Sequence, residues 1–435
     1  MTTVIETVDP ASSTSPPTLR ILFFISMLSG FIYGYNAGVY SGVMLQIRDA
    51  FDLSDDDIAD LIALFDFAEV TGVFLVPLAD HLGRKRLMTI CASALVAGPL
   101  LVLIHPSVFF LVIDRFIGGC AAGILFMTAI VYVAEIATEK RRALLLSAVP
   151  VGVSAGYVGE LLLSLAFVEG SGWRIAIAGS ALPALVQIAG LTRLHESPHF
   201  LHRTGHRQNA HKAWTWYGLP APSEGTEDPP NPPWYHAPKL LFATAESRRG
   251  LLLGSIIVLA ATTCGSGIIA YGPLLFDFFG QHDTSVTLQI LAVYTTLGFL
   301  MAMAALKLID EGHTDKILVG SLLAMAAAQF LLAISGGWTA ILLFGVVQLA
   351  FSFGIRTTAF QILPGFLSDA TRTSGVAFFN LVFMSLSGIN AEIVPRVLQD
   401  SSVLLFSLYS AIAFVLAGSC WLILKTKSKR ESPGL

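Results

Sequence analysis

Apolar positions along this chain neither alternate with polar ones nor form a narrow helical stripe. They come in long unbroken runs. Twelve can be drawn, at roughly 20–46, 58–79, 87–105, 108–137, 143–168, 173–193, 250–279, 285–309, 317–336, 338–367, 374–398 and 402–424. A hydrocarbon core about 30 Å thick needs about 20 apolar residues per helix. Gly and Pro recur inside the runs, as membrane helices tolerate when neighbours satisfy the freed backbone groups. A membrane barrel would show short alternating segments instead. The pattern therefore predicts an all-α membrane protein with twelve transmembrane helices.

The longest polar stretch, 195–248, falls midway and divides the runs into six plus six. Its Pro-rich core, 220–238, cannot be regular helix and reads as a linker. The expected organisation is a tail at 1–19, a six-helix bundle at 20–194, the loop 195–248, a second bundle at 249–424 and a tail at 425–435. Residues 1–19 are rich in Ser, Thr and Pro and are expected to be disordered. The first apolar run is too long for a signal peptide. With the N-terminus inside, 21 of the 26 Lys and Arg lie in inside segments. That bias predicts both termini in the cytoplasm.

Composition agrees with a chain in lipid: 54% hydrophobic and 13% charged residues, against about 25% charged in soluble domains. The net charge of -4 gives a nucleic-acid partner no electrostatic footprint. Cys91, Cys120, Cys264 and Cys420 each sit in an apolar run with no ligand set, so neither disulfides nor a metal is expected. His195, His199, His202 and His206 read more simply as the polar face of a short helix than as zinc ligands.

Several motifs thread the first half in order. Asp80-His81-Leu82-Gly83-Arg84-Lys85-Arg86 joins the second and third runs. Gly34-Tyr35-Asn36-Ala37-Gly38-Val39 lies in the first, and Arg115-Phe116-Ile117-Gly118-Gly119 in the fourth. Tyr132-Val133-Ala134-Glu135 is followed by Arg142, and Glu196-Ser197-Pro198 follows the sixth run. Together they resemble the major facilitator superfamily, and within it the sugar porter and metabolite:proton symporter branches. The resemblance implies two six-helix bundles that expose a central site alternately. It also implies that Asp80, Arg84, Glu135, Arg142 and Glu196 form a latch at the cytoplasmic ends that holds the bundles together when the site faces outward and breaks when it opens inward. The plainer reading of those charges is membrane-flanking topology.

The second half departs from the pattern. Ile269, Thr263, Cys264 and Pro150 stand where the resemblance implies sugar-binding amides, and Phe360 and Gly365 where it implies Trp and Glu. Asn36 stands where proton-coupled members carry Asp, and an Asn cannot titrate. Coupling then needs another acid.

Charges inside membrane helices cost at least about 2.5 kcal/mol and imply a use. Glu69 is the leading candidate for a proton site, ahead of Asp66 and Glu160. Asp66 also reads as a water-exposed acid near the outer third, and Glu69 as a partner of Arg115. Asp114 and Arg115 are adjacent in the fourth run. Arg356 offers a fork for a carboxylate, or pairs with Glu69, Glu160 or Glu392. The expected substrate-binding set is Asn36, Arg356, Gln361, Asn380, Tyr271 and Glu392.

These readings favour a secondary transporter moving a small polar metabolite by proton-coupled uptake. An organic acid leads narrowly, because Arg356 is present and the sugar-binding amides are missing. The alternative is a sugar porter, facilitated or proton-coupled. A non-transporting sensor would be expected to carry a large soluble output domain, and no nucleophile–base set suggests an enzyme. The expected partners are the solute, protons and the lipid bilayer, with no nucleic acid, no cofactor and a monomeric state. The expected location is the plasma membrane.

Overall fold

The structure is a computed structural model describing residues 16–219, 241–262, 265, 267–363 and 372–431. Most of the 1–19 tail, the 220–238 linker, Thr263, Cys264 and Gly365 lie outside the described residues, as do the side chains of Arg142, Phe360 and Gln361.

Twelve helical segments follow one another. They are α1 (Pro16–Phe51), α2 (Asp55–Leu75, prolonged by turns through Leu82), α3 (Arg84–Ile104), α4 (Val108–Ile136), α5 (Glu139–Ala166) and α6 (Trp173–Ala178 and Ala181–Thr192). The second half holds α7 (Ala245–Ala261, Gly267–Ala270 and Gly272–Phe278), α8 (Thr284–Asp310), α9 (Thr314–Ala333), α10 (Gly337–Ala350, continuing through Phe351–Ile355 and Arg356–Ile362), α11 (Arg372–Asp400) and α12 (Ser402–Glu431). Eleven described stretches are long and apolar enough to cross a membrane, and the interrupted α7 supplies the twelfth span. The 195–248 loop is more ordered than expected at its start: Pro198–Arg203 and Arg207–Tyr217 are helices, the second closed by Gly218 in the left-handed region.

Local chemistry sets the ends. Ser54 and Asp57 form a reciprocal capping box at α2, and three Asp in its first turn suit the positive end of the helix dipole. Ser107 and Asp283 cap α4 and α8 one way, their side chains accepting the backbone N–H of Phe110 and Val286. α1 and α5 pack backbone to backbone, because Gly30 and Gly34 face Gly152 and Gly156 where any Cβ would overlap the opposite chain. Large apolar side chains such as Phe109, Leu182 and Phe414 point outward, where lipid would solvate them.

Call the side where α1 begins and α12 ends the terminal face. The packing distinguishes it from the far face. One apolar core joins both halves, running from Val39, Ile58 and Ile62 to Leu275, Val394 and Leu398, all in far-face portions of their helices. Toward the terminal face the cores separate: one draws on the first half alone, from Leu22 to Tyr217, and one on the second, from Leu241 to Leu424. Ion pairs repeat the asymmetry. On the far face Arg396 of α11 reaches Asp60 (3.4 Å) and Asp56 (3.8 Å) of α2, and Arg48 of α1 reaches Asp277 of α7 (3.6 Å). Among the described residues no ion pair crosses between the halves on the terminal face. The halves are thus sealed at the far face.

Candidate functional site: a cavity between the two halves

Between the halves lies a cavity of about 680 Å³ lined from α1, α2, α4 and α5 on one side and α7, α8, α10 and α11 on the other. Its walls are mostly apolar, with a few polar groups converging, the usual character of a small-molecule site. The first half contributes Tyr33, Ser41, Asp66, Ser154, Tyr157 and Glu160, and the second contributes Thr295, Gln348, Arg356, Thr357, Asn380 and Ser387.

Arg356 follows directly on a π-helical segment, Phe351–Ile355. Such a segment widens the turn and resets the register of the residues after it. The guanidinium lies 5.1 Å from the Tyr157 ring centre and 5.3 Å from that of Phe351. Among the described residues it forms none of the ion pairs with Glu69, Glu160 or Glu392 that the sequence left open.

Asp66 lines the cavity, as does Ser387 of α11, so it is no outer-surface acid. Glu69, one turn on, is fully buried and accepts from the Tyr33 hydroxyl at 3.2 Å, while its Oε1 has no partner. Tyr33 itself lines the cavity and touches Met384 Sδ of α11 at 3.7 Å, so one phenol connects Glu69, the cavity and the opposite half. Glu160 is buried against Gly38 and Gly42 of α1 and accepts from Ser164 at 3.5 Å.

Arg115 also reaches the cavity but is fully engaged. It donates to the carbonyls of Leu61 (3.0 Å), Ile62 (3.2 Å) and Asn36 (2.9 Å), between the rings of Tyr40 and Phe65. It thus ties α4 to α1 and α2 rather than pairing with Glu69. Asp114 accepts from Tyr40 at 2.9 Å.

Three residues expected to bind substrate stand elsewhere. Asn36 donates to Ile32 O of its own helix (2.8 Å) and does not line the cavity. Tyr271 donates to Ala391 O at 2.7 Å and is fully buried. Glu392 pairs with Arg396 (2.7 Å) on the far face. Asn380 does line the cavity, its amide 3.4 Å from Met127 Sδ across the halves. Ser387 and Thr295 went unnoticed in the sequence, because a lone hydroxyl in an apolar run carries no pattern. Ile269 and Pro150 do line the cavity, so apolar groups occupy positions where the resemblance implied amides.

Asp80, Arg84, Glu135 and Glu196 of the expected latch lie together at the terminal face, with their described pairs within the first half. Arg84 pairs with Asp80 (2.9 Å) and Glu135 (2.8 Å), and Arg203 from the 198–203 helix also pairs with Asp80 (2.8 Å). Glu196 accepts the backbone N–H groups of Arg84, Lys85 and Ser197, capping the N-terminus of α3. Gly83, at φ +93°, turns the chain there and leaves the room Glu196 fills. Tyr132 and Tyr217 both donate to the His195 carbonyl. Partial burial, with Lys85 and Lys212 nearby, holds the His195 ring below the usual histidine pKa. His199 and His202 lie edge-on against Trp214.

Twelve helices in two halves about a shared cavity, sealed on one face, define a multi-pass transporter of the major facilitator fold rather than an enzyme. The comparisons make this specific. The family described as "Sugar (and other) transporter" matches residues 22–430, and the chain belongs to it. The glucose transporter GlcP of Staphylococcus epidermidis is 23% identical over 405 residues, covering 88% of each chain. The galactose-proton symporter of Escherichia coli is 26% identical over 312 residues, covering 70% of this chain and 67% of that one. Among solved structures, a D-xylose-proton symporter superposes with a TM-score of 0.76 at 18% identity, over 92% of this chain and 97% of that one.

Proposed function

We propose that this protein carries a sugar or polyol across a membrane by alternating access, coupled to protons. The carrying observation is the cavity: both halves line it, and hydroxyls and amides converge there on a space of about 680 Å³. Neutral hydrogen-bond groups in an apolar wall suit a polyhydroxylated solute. Family membership supports the sugar alternative over the free organic acid that the sequence favoured, and a glucose transporter and a galactose-proton symporter stand among the relatives.

The coupling site in this reading is Glu69 with Tyr33, backed by Asp66. Burial disfavours a charged carboxylate, and Tyr33 answers only one of the two Glu69 oxygens. Tyr33 also links this acid to α11 and to the cavity. The terminal face is cytoplasmic in this reading, which makes the described conformation inward-facing in a plasma membrane. The charges around Arg84 then brace the α2–α3 turn of one bundle as it rocks. Proteoliposome uptake of labelled hexoses, pentoses and polyols, with and without an imposed pH gradient, tests the proposal. Gradient-driven accumulation of at least one is expected. Binding and uptake of none would refute the substrate class, and uptake indifferent to the gradient would refute the coupling.

A further inference from the structure

Arg356 lines the cavity, yet among the described residues it donates no hydrogen bond and joins no ion pair. Two of the other cavity charges are answered. Arg115 donates to three backbone carbonyls, and Glu160 is folded against α1 and accepts from Ser164, while Asp66 lines the cavity and pairs with no cation among the described residues. The rings of Tyr157 and Phe351 near Arg356 attract a cation through their faces, whereas its N–H donors lie in the guanidinium plane. The donor fork is therefore open. A desolvated cation without a counter-charge is costly, and a fork of this shape matches a carboxylate bidentately. Neutral acceptors stand nearby. Gln348, on the same helix, gives its Nε2 to Thr295 at 2.8 Å and has a buried Oε1 with no partner.

We propose that the substrate is a sugar acid: a polyhydroxylated monocarboxylate whose carboxylate is held by Arg356 while Gln348 and Asn380 take hydroxyls. This rests on the sugar-transport reading above and names the substrate within it. One arginine in a cavity whose lining also includes Asp66 and Glu160 suits a single negative charge better than a phosphate dianion.

Binding and uptake of D-galacturonate, D-galactose and D-galactose 6-phosphate by the full chain in proteoliposomes test it. In the unmodified protein the acid is expected to bind at least about tenfold tighter than the neutral sugar, the scale of a charge-assisted hydrogen-bond pair. Arg356→Gln should reduce that acid-to-neutral ratio about tenfold or more. Arg356→Lys, which keeps the charge and loses the fork, should fall between. A ratio of one or below in the unmodified protein overturns the proposal without any variant, as does tighter binding of the sugar phosphate. A ratio unmoved by Arg356→Gln overturns the role of this side chain. Uptake of neutral sugar without the acid leaves the transport reading standing and this one fallen, and binding of none of the three likewise overturns this proposal while the panel of hexoses, pentoses and polyols decides the transport reading.

Discussion

Reversing one charge on the far face should shift the balance between the two conformations. Arg396 holds Asp60 at 3.4 Å and Asp56 at 3.8 Å, so two attractions cross from α11 to α2. Its side chain is 54% exposed, which places each pair at about 0.2–1 kcal/mol. Two such pairs hold the far face shut by about 1 kcal/mol. Arg396→Glu removes both and adds repulsion of similar size, a swing of about 2 kcal/mol. At about 1.4 kcal/mol per tenfold, the ratio of open to closed far face should rise about 20- to 30-fold. Spin labels at positions 52 and 399, exposed on opposite halves of that face, report the separation by pulsed electron resonance. The long-distance population should grow in Arg396→Glu and shrink again when Asp56→Lys and Asp60→Lys are added. The effect should weaken in 1 M salt, where the screening length is about 3 Å. An unchanged distance distribution, or a shift indifferent to salt, would refute this account of the gate.

Three further outcomes are expected. Glu69→Gln should abolish accumulation driven by a pH gradient while solute exchange persists, read as uptake against counterflow in the same vesicles; intact accumulation would remove Glu69 from the coupling site. Gly83→Ala should lower stability by about 2–4 kcal/mol, combining about 1–3 for a backbone strained at positive φ with about 1 for the displaced Glu196 cap. Glu196→Ala alone should cost about 1 kcal/mol, and the double variant less than the sum in thermal melts, because both disturb one turn. Arg115→Lys should destabilise the fold by roughly 3 kcal/mol or more, since one ammonium cannot reach the Leu61, Ile62 and Asn36 carbonyls that the fork spans; a melting point within a degree of the unmodified protein would contradict that.

What could be read in the sequence was what depends on neighbours in the chain. Twelve spans follow from run length alone, and the Asp80–Arg86 turn follows from Gly83 and the charges beside it. Pairings made across the fold were hidden. Glu196 caps a helix that begins 112 residues earlier, and Arg396 meets Asp60 across 336 residues. In this conformation the described pairs of Arg84 and Asp80 lie within one half, and among the described residues no ion pair joins the halves on that face. Asn36 misled for the opposite reason. Its amide satisfies itself one turn back on Ile32, a local bond that competes with any role in the cavity.

The scarcity of charge gives these placements their meaning. A buried charge is tolerated when something answers it, so each one can be asked what does. Arg115 is answered by backbone carbonyls and Asp114 by Tyr40. Glu69 is answered on one oxygen and bare on the other. Arg356 is answered, among the described residues, by ring faces alone. Sequence can place a charge in the membrane, but only the fold shows whether its partner is already present. Glu69 and Arg356, each incompletely partnered, are an acid and a base on opposite halves, beside or on the same cavity. A proton for the first and a carboxylate for the second would together add no net charge to that cavity, so uptake of a sugar acid with one proton should be driven by a pH gradient and indifferent to membrane potential. Potential-driven uptake of the acid would show that the two sites do not fill together.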